Sequence, residues 1–247
     1  MVTKDLSAME GNPKFIFFTD FDGTITLKDT FDAYQYIPLH GNTETLQTDN
    51  IGFGQEKRKQ GNKDVLEGKE TFRESFTKMM DSVKKPFPEC VDYLIENIKL
   101  DPHFNDYFEW ALDNNIPTVV LSSGMEPVIR GILKNLVGKN HDKIDIVSNQ
   151  AKARPGKSMD EEGGWQIDFH DDSDFGHDKS LTIRPYADLP SDKRPTLFYA
   201  GDGVSDLSAA RETVCSAGKV SVHDAAKEGY EMYKKGEAGV KIDDDKE

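Results

Sequence analysis

Short apolar runs that stop abruptly at small, acidic or hydroxyl residues set the pattern of this chain. Phe15-Ile16-Phe17-Phe18 leads into Thr19 and Asp20, and Pro117-Thr118-Val119-Val120-Leu121 into Ser122-Ser123-Gly124. Leu197-Phe198-Tyr199-Ala200 leads into Gly201-Asp202-Gly203, and Ile144 to Val147, interrupted by Asp145, is a weaker member of the set. Unbroken runs of this length, rich in β-branched and aromatic residues, suit strands buried on both faces of a parallel sheet. Between them, Phe104, Tyr107, Phe108 and Ala111 recur at helical spacing, as do Val128, Ile129, Ile132, Leu133 and Leu136. Strands alternating with helices predict an α/β fold with a doubly wound, Rossmann-like parallel sheet. Sites in such sheets lie beyond the carboxyl ends of the strands. The polar residues closing three of these runs are therefore expected to converge.

The stretch from about Asp29 to about Asp101 differs. It lacks strand-like runs and is rich in charge. Within Glu70 to Met80, Phe72, Phe76, Met79 and Met80 are spaced for one helix face, and Asp92 to Ile98 suggests another helix. Residues 52–68 read as turn and helix. The expected organisation is an N-terminal tail over 1–14, a core over 15–30 and 102–240, a helical cap over 31–101, and an acidic tail over 241–247. A hairpin is expected over Trp165–Phe169, after the Glu161-Glu162-Gly163-Gly164 turn.

Charge bears on the partner. The 31 basic and 45 acidic residues give a formal net charge of −14. Such a field argues against nucleic acid and anionic membranes as partners. It also repels anionic substrates, so a site for one needs a local cation. Cys90 and Cys215 fit no metal spacing and are expected to be reduced thiols. Met1 to Lys14 lacks an apolar signal core, and no stretch approaches the ~18 apolar residues of a membrane span. A cytoplasmic protein, monomeric or dimeric, is the expectation.

Asp20-Phe21-Asp22-Gly23-Thr24-Ile25-Thr26 is the strongest motif. Two carboxylates two residues apart lie on one side of an extended chain, and Gly23 lets the chain turn. One carboxylate can attack phosphorus, while its neighbour donates a proton to the leaving alcohol and later accepts one from water. A calcium loop fails on spacing, because its glycine is the sixth residue and Gly23 is the fourth from Asp20. A solvated strand-end turn stays open for the motif in isolation. Gly201-Asp202-Gly203-Val204-Ser205-Asp206 places Asp202 at a strand end, where it suits magnesium, with Asp206 near enough to orient a ligand water. A dinucleotide loop needs glycine where Asp206 stands. Ser122, Ser123 and Gly124 before a helix offer a hydroxyl and amides for phosphate, or a plain N-cap. Lys179 is a point charge suited to a phosphoryl oxygen, or an exposed lysine.

Taken in order, these motifs resemble the haloacid dehalogenase superfamily, and most closely its phosphoserine phosphatase-like branch. A fungal group of small-molecule phosphatases shares Ser-Ser-Gly-Met, Gly-His-Asp-Lys-Ser and Gly-Asp-Gly-Val-Ser-Asp. The resemblance spans about residues 15–212. It implies a Rossmann-like core, a cap inserted after the first motif, and magnesium. Asp20 would be the nucleophile and Asp22 the general acid, then base. Asp20, the Asp22 carbonyl and Asp202 would hold the metal with Asp206 in support. Ser122, Ser123 and Lys179 would bind the phosphoryl group, with Thr24 supporting the loop. In phosphoserine-specific relatives an acid after the first motif grips the amine and a cap arginine the carboxylate. Asp29 takes roughly the first place, and Arg58 and Arg73 are candidates for the second. A phosphorylated polyol, sugar or similar small alcohol suits a polar cap equally well, and a phosphotransferase uses the same aspartyl chemistry. A non-catalytic binding protein of the same fold is the remaining alternative, against which the acid pair, Lys179 and Asp202 argue. One departure stands out. Relatives continue past the last motif with a further apolar strand and helix, whereas 214–247 offers only Gly218–Val222 and a charged, glycine-interrupted stretch, leaving the last strand of the sheet unplaced.

Overall fold

The structure is a computed structural model describing residues 6–27, 51–201, 206–213 and 215–217. Its centre is a six-stranded sheet in the order β4-β3-β2-β1-β5-β6, formed by β1 (Phe15–Thr19), β2 (Thr118–Met125), β3 (Asp145–Ala153), β4 (Trp165–Asp168), β5 (Thr196–Ala200) and β6 (Cys215–Ala217). All pairings are parallel except β3 with β4. β1 lies between β2 and β5, so its carboxyl end sits at the middle of the rim.

The unbroken apolar runs have a direct cause. Alternate residues of each central strand enter different cores. Ile16 and Phe18, Val119 and Leu121, and Leu197 and Tyr199 pack with Ile183 and Tyr186 on one face. Phe17, Val120, Phe198 and Ala200 pack with Phe104, Tyr107 and Phe108 on the other. Neither face meets water, so no polar alternation survives.

Among the described residues, three helices fall between β1 and β2 before the core resumes: α1 (Gln55–Leu66), α2 (Phe72–Ser82) and α3 (Phe87–Asn97). α4 (Phe104–Asp113) then leads into β2. α2 opens with a capping box in which the Thr71 hydroxyl accepts from the Glu74 amide and Glu74 accepts in return. α3 starts five residues earlier than the apolar pattern suggests, because Pro88 falls in the first turn, where a missing N–H breaks no helical bond. It packs against α5 (Glu126–Leu136) so closely that a methyl group on Gly131 would stand 3.2 Å from Val91 and Ile95. The chain leaves and rejoins the core at one place. Thr26 bridges Leu100, the Leu27 amide donates to the Lys99 carbonyl at 3.0 Å, and the Asp101 amide donates to Ile25 at 2.8 Å.

The sheet's edges depart from the pattern. β3 extends past Val147 to Ala153, and β4 pairs antiparallel with its last four residues. That half of β3 is largely exposed and therefore carries no apolar signal. The last strand among the described residues lies at Cys215–Ala217 beside β5, and Gly218–Val222 falls outside them. α6 (Lys179–Ala187) and a short α7 (Leu207–Ala210) complete the described elements. Cys90 is a free, buried thiol.

Candidate active site

Asp20 follows directly from β1, where the ladder still holds it: its amide donates to the Ala200 carbonyl of β5 at 2.8 Å. Its carboxyl is almost fully buried. Lys179, at the first position of α6, reaches across the rim and donates to Asp20 Oδ1 and to Asp206 Oδ1, each at 2.6 Å. Asp206 Oδ1 also accepts from the Tyr199 hydroxyl at 2.6 Å. This close approach needs a glycine, because a methyl group on Gly201 would stand 2.5 Å from the Asp206 carboxyl.

The charges explain the titration. Burial, then repulsion from Asp206 and Asp22, pushes Asp20 up to about 7 against the pull of Lys179. Burial opposes the Lys179 ammonium, but Asp20 and Asp206 hold its pKa above the ordinary value. Asp20 and Asp206 share the Lys179 ammonium, and Asp22 adds a third carboxyl close enough to repel Asp20.

The loop after Asp20 turns at Gly23, whose φ is +78°. Thr26, rather than Thr24, fastens it. The Thr26 hydroxyl accepts from the Gly23 amide at 3.1 Å and donates to the Phe21 carbonyl at 3.4 Å. Thr24 Oγ1 is buried with no hydrogen-bond partner among the described residues. Across from this loop, β2 loses register with β3 between Ser122 and Met125. The Ser122 hydroxyl accepts from the Gly124 amide at 2.9 Å, closing a tight turn. A methyl group on Gly124 would stand 3.1 Å from Ser122 Oγ and 3.5 Å from Asp22 Oδ2, so the second carboxyl lies beside this turn. Carbonyls freed by the irregularity find side-chain partners: Asn149 Nδ2 donates to Ser123 at 2.7 Å, and His177 Nδ1 lies 2.8 Å from the Ser122 oxygen.

Asp20 and Asp22 after β1, Ser122 in β2, Asp206 after β5 and Lys179 at the start of α6 therefore come together. Asp202 and Asp29 lie outside the described residues. Arg58 is buried in α1, at 5% exposure. Arg73 is tied to the loop between β4 and α6: Nη1 donates to the carbonyls of Asp171 and Ser173, its amide donates to Asp174, and its guanidinium lies 4.3 Å from the centre of the Phe169 ring. Tyr199, Asn149 and His177 were not foreseen. The Tyr199 hydroxyl is hidden in an apolar run. Asn149 and His177 serve backbone carbonyls, whose identity no side-chain pattern encodes.

The donors suit a magnesium ion. They are all oxygen, and magnesium asks for only one or two carboxylates. The carboxyl groups that repel one another here are of the sign a divalent cation would balance. Among the described residues no three His, Cys, Asp or Glu side chains are grouped to hold a metal, so a set of the expected kind needs Asp202 as well.

A family model described as haloacid dehalogenase-like hydrolase matches residues 17–211. Pdp3-interacting factor 1 of Schizosaccharomyces pombe is 45% identical over 218 residues, which cover 88% of this chain and 83% of that protein. Polyol phosphate phosphatase PYP1 of Saccharomyces cerevisiae is 45% identical over 206 residues, covering 81% of this chain and 78% of that protein. Among solved structures, a phospho-aspartyl intermediate analogue of phosphoserine phosphatase superposes with a TM-score of 0.56 at 16% identity, over 87% of this chain and 98% of that one, a likeness of fold. The chain thus belongs to the haloacid dehalogenase-like hydrolase family.

Proposed function

We propose that this chain is a phosphatase that hydrolyses small phosphate monoesters, with a phosphorylated polyol, sugar or similar alcohol as substrate, through a phospho-aspartate on Asp20 and with magnesium as cofactor. One observation carries the reading: a buried carboxyl at the end of the central strand, gripped by Lys179, with a second carboxyl and a hydroxyl turn beside it. The 45% identical polyol phosphate phosphatase supports the substrate class.

The chain's own residues divide the work. Lys179, the Ser122 hydroxyl and the Ser123–Gly124 turn hold the phosphoryl oxygens. The Asp20 oxygen not held by Lys179 attacks phosphorus, and the bond from phosphorus to the ester oxygen breaks. Asp22 gives its proton to the departing alkoxide. Water then attacks the phospho-aspartate, Asp22 takes back a proton, and inorganic phosphate leaves with the Asp20 carboxylate restored. Magnesium held by Asp20, the Asp22 carbonyl and Asp202, with Asp206 in support, would supply charge neutralisation. α1–α3 are assigned to a cap that chooses the alcohol, consistent with the adjacent crossings at Thr26 and Leu100. A phosphoserine specificity would call for a cap arginine directed at a carboxylate. Arg73, one of the two candidates, is instead engaged with backbone carbonyls.

A cytoplasmic location is proposed with this role; no helix among the described residues is long and apolar enough to cross a membrane. The test is hydrolysis of p-nitrophenyl phosphate and of a panel of polyol, sugar and amino-acid phosphates, with and without magnesium. Magnesium-dependent turnover that Asp20→Asn abolishes is expected, with polyol phosphates ranked first by kcat/KM. Full activity in Asp20→Asn would reject the mechanism, and a preference for phosphoserine would reject the substrate class.

A further inference from the structure

We infer that His177 is a positioning residue: by donating Nδ1–H to the Ser122 carbonyl, it sets how the Lys179 ammonium stands relative to the Ser122–Gly124 turn. The inference rests on the phosphatase reading of that site.

The two phosphate-handling groups come from different elements. Ser122 lies where β2 departs from its ladder with β3, so its carbonyl needs a partner from elsewhere. Lys179 opens α6, whose start is fixed on its own side. Asp178 caps the helix by accepting from the Ser180 amide at 3.0 Å, and the Asp178 amide donates to Asp171 Oδ2 at 2.7 Å. His177, two residues before Lys179, joins the two elements through the 2.8 Å contact to Ser122. Gly176 brings it there at a φ of +74°, packed so tightly that any side chain would overlap the Phe169 ring.

The chemistry fixes the tautomer. The acceptor is a carbonyl, so Nδ1 carries the proton and Nε2 keeps a lone pair. Nε2 is buried with no hydrogen-bond partner among the described residues, and the residue is 2% exposed. An apolar side chain would fill this space without burying an unpaired nitrogen. The ring lies 4.7 Å from the His170 ring, a contact that needs no Nδ1–H, whereas donation to Ser122 requires one. Burial pulls the imidazole down to about 4, keeping it neutral near pH 7.

Two variants separate positioning from packing. His177→Asn retains a donor close to the position of Nδ1, and His177→Leu retains only bulk. With p-nitrophenyl phosphate and magnesium, His177→Leu is expected to lower kcat/KM by about 10- to 100-fold, the scale of a displaced binding group. Calorimetric affinity for inorganic phosphate should fall in parallel, and His177→Asn should recover most of both losses. In the wild type, nitrogen-resolved NMR should find His177 protonated at Nδ1 and bare at Nε2. A folded His177→Leu protein with unchanged kcat/KM and phosphate affinity would overturn the inference. So would equal impairment of two folded variants, or an Nε2–H tautomer. Should His177→Leu not fold, the asparagine variant and the tautomer decide. Should the wild type turn over no phosphate ester, the phosphatase reading fails, while the tautomer and phosphate affinity still judge His177.

Discussion

Lys179 touches two carboxylates at once, and that geometry makes Asp206 as much a part of the site as Asp20. Tyr199 steadies the arrangement from below. Tyr199→Phe leaves the strand packing intact but removes a donor to a buried carboxylate, a change worth about 1.5–3 kcal/mol. Urea unfolding should show that loss together with reduced kcat/KM; an unchanged midpoint would mean that Asp206 needs no such support. His177 makes a pH prediction of a different kind. Its folded value of about 4 lies below the ordinary 6.5, so the stability linked to its neutrality is present above about 6.5 and is lost as pH falls through about 4. His177→Asn should lose less stability than the wild type between pH 7 and 4, and parallel declines would refute the linkage. Asp20, Asp22 and Ser122 were legible in the sequence because they follow or close apolar strand runs, and Lys179 because the proposed phosphoryl chemistry asks for a point charge. Thr26 was not: it and Thr24 are chemically alike, and only the course of the turn decides which hydroxyl faces the backbone.

Among the elements, α2 does more than roof the molecule. Arg73 in its first turn holds the loop over residues 169–174 by two carbonyls and a ring face, and that loop leads directly to His177 and Lys179. Arg73→Ala should therefore loosen a segment remote from its own helix. Amide exchange should rise across residues 169–178, with a cost of about 1–3 kcal/mol for the bonds lost. KM should rise more than kcat falls. Exchange that rises only within α2 would confine Arg73 to a local role. The central strands and the helices flanking β2 could be read from periodicity, since burial on both faces leaves an unambiguous apolar run. The second half of β3 and the start of α3 could not. An exposed strand has no apolar face to betray it, and prolines look like breakers until their place in the first turn is known.

For the whole molecule, the balance of charge shapes how a substrate arrives. A net charge of −14 surrounds a site that must receive a phosphate dianion. Long-range repulsion slows that encounter, and salt screens it, the Debye length shrinking from about 30 Å at 0.01 M to about 10 Å at 0.1 M. At saturating magnesium, kcat/KM for a dianionic ester should rise as inert salt increases over that range, and a steady fall would reveal a local attractive field strong enough to dominate. That acidity was plain from composition. The order of the strands was not, because nothing in the run from Cys215 to Ala217 marks it as the neighbour of β5.

The adjoining threads at Leu27 and Lys99 carry an evolutionary consequence. Where a chain departs from and comes back to a fold at the same point, lengthening the detour adds little closure entropy and leaves the rest of the scaffold undisturbed. In the proposed arrangement, one excursion can be exchanged for another while the strand ends that carry Asp20 and Ser122 keep their places.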